Sequence, residues 1–69
     1  MAVVAPLSGT VAGLRVSEGD VVETGQLLVL LEAMKMEHRV TATMAGTVKR
    51  VAVRDRDVVR EGDVLIELG

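Results

Sequence analysis

The chain of 69 residues contains no cysteine, no aromatic residue and a single proline, Pro6. Without cysteine there is no disulfide staple and no thiolate metal site. Without Phe, Tyr or Trp the core must be assembled from Val, Leu, Ala, Met and the lone Ile66, and the aromatic platforms that usually stack on bases are missing. Acidic and basic residues are interspersed and sum to a formal charge of −2, which argues against a nucleic-acid surface. The longest mostly apolar run, Leu27 to Leu31, is far too short to cross a bilayer, and the start Met1-Ala2-Val3-Val4-Ala5 has neither the basic opening nor the long apolar stretch of a secretory signal. These exclusions leave one small domain, residues 1–69, near the lower size limit for a core without staples, with no membrane segment and a cytoplasmic or organelle-matrix setting as the expectation.

What the chain does have is an internal repeat. Ala5-Pro6-Leu7-Ser8-Gly9-Thr10-Val11 returns as Ala42-Thr43-Met44-Ala45-Gly46-Thr47-Val48. The same offset of 37 relates Val16 to Val53, Asp20 to Asp57, Val21 to Val58, Val22 to Val59, Gly25 to Gly62, Leu28 to Leu65 and Leu31 to Leu68. Apolar residues fall in short Val and Leu runs punctuated by seven glycines, a spacing too close for long helices, so the expected class is all-β. The expected strands are Val3–Ala5, Thr10–Val16, Val21–Val22, Leu27–Glu32, Met36–Val40, Thr47–Val53, Val58–Val59 and Val64–Leu68. Alternation in the second and sixth of these points to one buried and one wet face. Glu23-Thr24-Gly25-Gln26 and Arg60-Glu61-Gly62-Asp63 have the composition of equivalent tight turns that need positive φ at glycine.

Two four-strand units, each unable to cover its apolar face alone, are expected to pair as a flattened barrel or sandwich of two four-stranded antiparallel sheets with a pseudo-twofold axis. One position breaks the repeat: Glu18-Gly19-Asp20 becomes Asp55-Arg56-Asp57. If Gly19 has positive φ, Arg56 is strained by about 1–2 kcal/mol.

Between the two halves lies Glu32-Ala33-Met34-Lys35-Met36-Glu37. Lys35 and Lys49 are the only lysines, against six arginines. Shifting Lys35 by one repeat leads to positions 72 or −2, just outside the chain. The twofold therefore sets the lysine hairpin at one end of the domain and both termini at the other, an arrangement suited to a tethered group that must enter other active sites. Met34 and Met36 read alone suit core filling, but a hairpin tip cannot bury both. His38 has no second His or Cys to join it and is given no role. Lys49, Arg50, Arg54, Arg56 and Arg60 alternate with acids and read as a solvated face.

Ala33-Met34-Lys35-Met36 resembles the attachment motif of biotin carboxyl carrier domains, the biotinyl half of the biotinyl/lipoyl family, and the resemblance spans essentially the whole chain. It implies biotin held through an amide on the terminal nitrogen of Lys35, with Glu32, Ala33, Met34 and Met36 read by a biotin protein ligase and Glu37 a weaker candidate for the same reading. A lysine amine is almost wholly protonated at neutral pH and a poor nucleophile, so attachment needs a ligase and an activated acyl group. It further implies two partners: a biotin carboxylase that uses ATP and bicarbonate, and a carboxyltransferase that serves an acceptor. The domain itself would be a monomer and catalyse neither step.

Ala5-Pro6-Leu7-Ser8-Gly9 is a looser form of the family's Pro-Met-Pro-Gly stretch. No insertion marks the first repeat, so the chain resembles the plain carrier domains of acyl-CoA, pyruvate or related carboxylases. Two other readings stand beside this one: a lipoyl carrier, whose motif more often has Asp before the lysine and Ala after it, and an unmodified adaptor of the same fold.

Overall fold

The computed structural model describes residues 1–69 and contains eight strands and no helix: β1 (Ala2–Val4), β2 (Gly9–Leu14), β3 (Val21–Val22), β4 (Leu27–Ala33), β5 (Met36–Thr41), β6 (Gly46–Val51), β7 (Val58–Val59) and β8 (Val64–Leu68). They form two antiparallel four-stranded sheets, in the orders β1-β8-β6-β3 and β5-β4-β2-β7. Each order maps onto the other when every strand moves by one repeat, so the pseudo-twofold is obeyed by topology as well as by sequence. The unit of duplication is not a sheet, however. Each sheet takes two strands from each half of the chain, so neither half has a complete sheet of its own and the halves interlock.

Burial follows the same symmetry. The sixteen buried residues, all apolar, are eight pairs related by the repeat: Val3/Val40, Ala5/Ala42, Val11/Val48, Val16/Val53, Val22/Val59, Leu28/Leu65, Val29/Ile66 and Leu31/Leu68. Strict alternation would not bury Leu28 together with Val29, or Leu65 together with Ile66. Register shifts resolve this: opposite β5 the ladder skips Leu28, and opposite β1 it skips Leu65, so the bulged leucine joins its neighbour in the core. A second symmetric pair of shifts skips Ala12 in β2 and Lys49 in β6.

The first difference from the expected strands is where β2 and β6 end. Pairing in β2 and β6 ends at Leu14 and Val51, short of Val16 and Val53. The two valines are still buried, and the chain just beyond each strand stays tied to its partner strand by Arg15 N–H to the Leu28 carbonyl and by Ala52 N–H to the Leu65 carbonyl, each at 2.9 Å. β1 begins one residue earlier than expected, and β4 and β5 each extend one residue further.

The turns repeat as well. Gly25 (φ 86°) and Gly62 (φ 91°) are left-handed, as are Gly19 (φ 93°) and its counterpart Arg56 (φ 76°). Gly19 N–H donates to Val48 C=O and Arg56 N–H to Val11 C=O, both at 2.8 Å, so the backbone keeps one geometry although one residue has a side chain to accommodate.

Candidate functional site

β4 and β5 are paired as far as Ala33 opposite Met36, which leaves Met34 and Lys35 as the two-residue loop of the hairpin. Both have positive φ, 55° and 64°. A two-residue loop with both central residues left-handed is a type I′ turn, whose twist matches that of the flanking strands. Asn-Gly is the usual chemistry for such a bend. Two side-chain-bearing residues here carry about 1–2 kcal/mol of steric strain each. Strain at a fixed bend is where function is to be sought.

The turn points Met34 and Lys35 away from the ladder. Met34 is 90% exposed and Met36 63%, and Lys35 is exposed between them. Both methionines are therefore outside the core, which goes further than the sequence expectation that one would be. Below the tip, Glu32 and Glu37 are directly opposite each other on adjacent strands, with Thr10 of β2 continuing the row. Both carboxylates are exposed, and like charges in that position destabilise a ladder. The ion pair in the structure is elsewhere, between Arg50 Nε and Glu67 at 3.0 Å. Ala33 is half-buried where β2 begins.

The far end of the molecule carries the termini. The Met1 amino group donates to the Leu68 carbonyl, and the Thr43 hydroxyl is 3.8 Å from the Met1 sulfur. Thr43 follows the far end of β5, so the whole length of that strand, roughly 17 Å at the usual rise, separates Met36 from the residues beside Met1. An open groove of about 330 Å³ between the edges of β1 and β5, lined by Met1, Val3, Val4, Thr41 and Thr43 among others, lies at the termini end. The hairpin tip borders neither this groove nor a smaller one of about 150 Å³ beside Met44 and Gly69. A group joined to Lys35 would thus extend into solvent, free to enter a partner's active site. This suits a carried cofactor on a flexible lysine arm.

His38 is half-buried on β5 opposite Leu31. Arg50 is in the ion pair, and the remaining members of the basic cluster, Lys49, Arg54, Arg56 and Arg60, are exposed. Sequence reasoning did not single out Gly9, whose neighbours are the last residues of β4. Its signals in the sequence are the recurrence as Gly46 and its place at the end of Ala5-Pro6-Leu7-Ser8-Gly9.

A duplicated, helix-free sandwich that projects one strained lysine turn away from its termini defines a class of domain built to present an amine. Residues 1–68 match the family model described as "Biotin-requiring enzyme", and the chain belongs to that Biotin_lipoyl family. Over 41 residues it is 61% identical to the biotin-dependent acyl-coenzyme A carboxylase alpha3 subunit of Mycobacterium leprae, a match covering 59% of this chain and 7% of that protein. A solved single-chain, multi-domain long-chain acyl-CoA carboxylase superposes with a TM-score of 0.91 at 42% identity over 96% of this chain, which spans 7% of that one. The lipoyl domain of the 2-oxoglutarate dehydrogenase complex from Azotobacter vinelandii shares the fold at a TM-score of 0.78 and 29% identity, covering 90% of this chain and 78% of that domain.

Proposed function

We propose that the chain is a biotin carboxyl carrier domain, non-catalytic in itself, with biotin joined to Lys35 by an amide. Carrying this reading is one observation: in a chain of the biotin-requiring family, one of only two lysines occupies an exposed, strained type I′ turn between two methionines. When bound, biotin supplies a ring nitrogen that accepts and gives up a carboxyl group.

The protein's own contribution is positional. A biotin protein ligase would take the proton from the Lys35 ammonium so that Nζ can attack an activated carboxyl carbon, forming the amide as the activating group departs. Met34 and Met36, flexible and polarisable, pack against whichever partner surface the tip enters. Glu32 and Glu37 offer two adjacent carboxylates to a basic ligase surface. The rigid hairpin and the distant termini let a tethered domain visit a biotin carboxylase and a carboxyltransferase in turn, each visit having the high effective concentration of an intramolecular encounter.

Lys49 is a poor competitor. It is in the bulge of β6, and its aliphatic stem passes over Gly69, where an added Cβ would overlap it.

Co-expression with a biotin ligase followed by intact-mass measurement tests the assignment: a biotinyl increment lost in Lys35→Arg and retained in Lys49→Arg is the expected result. A lipoyl increment on Lys35 would give the domain to the sister branch, and no increment would favour an unmodified adaptor. The same proposal includes a monomeric domain and a cytoplasmic or organelle-matrix setting. Sedimentation of the isolated chain and cell fractionation with a biotin probe check these two points.

A further inference from the structure

Gly9, the first residue of β2, touches the neck of the lysine hairpin. A Cβ built there would be 2.6 Å from the Glu32 carbonyl oxygen, 3.3 Å from the Glu32 carbonyl carbon and 3.3 Å from Ala33 Cβ. The nearest of these atoms is backbone, so no rotamer change relieves the clash and one strand must move. Glu32 and Ala33 immediately precede the turn, and each is paired across the hairpin, with Glu37 and Met36.

The internal repeat supplies a control. Gly46 is the counterpart of Gly9, and a Cβ there would meet the Gly69 carbonyl oxygen at 3.2 Å and Leu68 Cβ at 3.7 Å. That contact is looser, and it bears on the end of β8, far from the Met34-Lys35 turn. The same feature of the fold is thus tighter at the end that presents the amine.

We infer that Gly9 and Ala33 act together as positioning residues for Lys35: two minimal side chains let β2 press against the last turn-proximal peptide of β4 and set the direction in which the tip projects. The inference rests on the carrier reading for its consequence, since the quantity affected is delivery of Lys35 Nζ into a ligase or carboxylase site. Lys35 is three residues beyond Glu32, roughly 10 Å of extended chain. A shift of a few tenths of an ångström at the neck is therefore magnified at the amine, and a misplacement approaching 1 Å costs up to about a hundredfold in a positioned reaction.

The test compares Gly9→Ala with Gly46→Ala in the full chain, reading kcat/KM for ligase-catalysed biotinylation, thermal melting, and backbone amide shifts of Ala33 to Glu37. Expected is a loss of about tenfold or more in Gly9→Ala with hairpin amides displaced, against less than about twofold in Gly46→Ala. If Gly9→Ala does not fold, Ala33→Val, which crowds the same contact from the other strand, decides the matter through the hairpin amides: displaced amides support the inference and unmoved ones overturn it, whatever the change in loading at a residue the ligase also reads. Equal losses in the two glycine variants, or wild-type loading with unmoved hairpin amides in folded Gly9→Ala, overturn the inference. If wild-type protein takes no biotin at all, the functional reading fails while the amide shifts still judge the neck.

Discussion

The two halves of the chain agree inside the molecule and disagree at its ends. Inside, eight positions are buried twice, by the same or a similar side chain. At the ends, the loop after β4 is a strained lysine turn, while Gly69, the residue after β8, is hydrogen-bonded to Thr47 in both directions. The difference teaches where each kind of constraint acts. Packing and ladder geometry need both copies of the pattern, so symmetry persists there. Presentation of an amine needs only one.

The largest effect comes from breaking the agreement in the core. Leu28→Ala and Leu65→Ala each remove a fully buried leucine from equivalent bulges and should cost about 2–5 kcal/mol. That is a large share of the roughly 3–10 kcal/mol available to a domain of this size. Urea unfolding should find the two losses equal within about 1 kcal/mol. A loss confined to one half would show that the two copies do not share the load.

Next comes the tip. Replacing Met34-Lys35 by Asn-Gly substitutes residues at home in a type I′ turn and should raise stability by about 1–3 kcal/mol. For a domain of this length that is a rise of about 4–24 °C in melting temperature. On the proposed carrier reading the same variant takes up no biotin. Calorimetry that found no gain would mean the hairpin is not strained, and the argument linking strain to presentation would fail with it.

A smaller effect separates Gly19 from Arg56. The two hold equivalent left-handed positions, and nothing lies within 4 Å of a Cβ added at Gly19, so backbone sterics alone decide the difference. Arg56→Gly should stabilise by about 0.5–1 kcal/mol, less than the full relief because glycine also frees the unfolded chain. Gly19→Ala should destabilise by a comparable amount. Opposite signs in melting temperature are the expected outcome, and like signs would show that the two loops are not equivalent.

Much of this was legible in the residues. The offset of 37 exposed the duplication, and with it the sheet content and the placement of Lys35 away from Met1 and Gly69. Arg56 was recognisable as strained because its partner is a glycine. What escaped notice depends on register and approach distance rather than on residue type. The skip at Leu28 cannot be read from an apolar run in which every residue suits a strand. The two-residue length of the turn was hidden because Met-Lys lacks the Asn or Gly that normally announces a type I′ bend. The opposition of Glu32 and Glu37 follows from that length alone, and the closeness of Gly9 to Glu32 follows from the path of β2, so neither could be read from spacing.

The smallest expected effect concerns the outer faces of the sheets. Arg50 and Glu67 form an ion pair on one face, with their side chains 55% and 43% exposed. Their counterparts on the other face are Gly13 and Leu30, paired in the ladder in the same way without any charge. Since the ladder forms equally with and without the ion pair, the ladder does not require it. Glu67→Gln should therefore cost no more than about 0.5 kcal/mol in low salt, and less in molar salt, where charges this exposed are screened within about 3 Å. A loss well above that, insensitive to salt, would mean that Glu67 supports β8 by some other route and that the two faces are less alike than their pairing indicates.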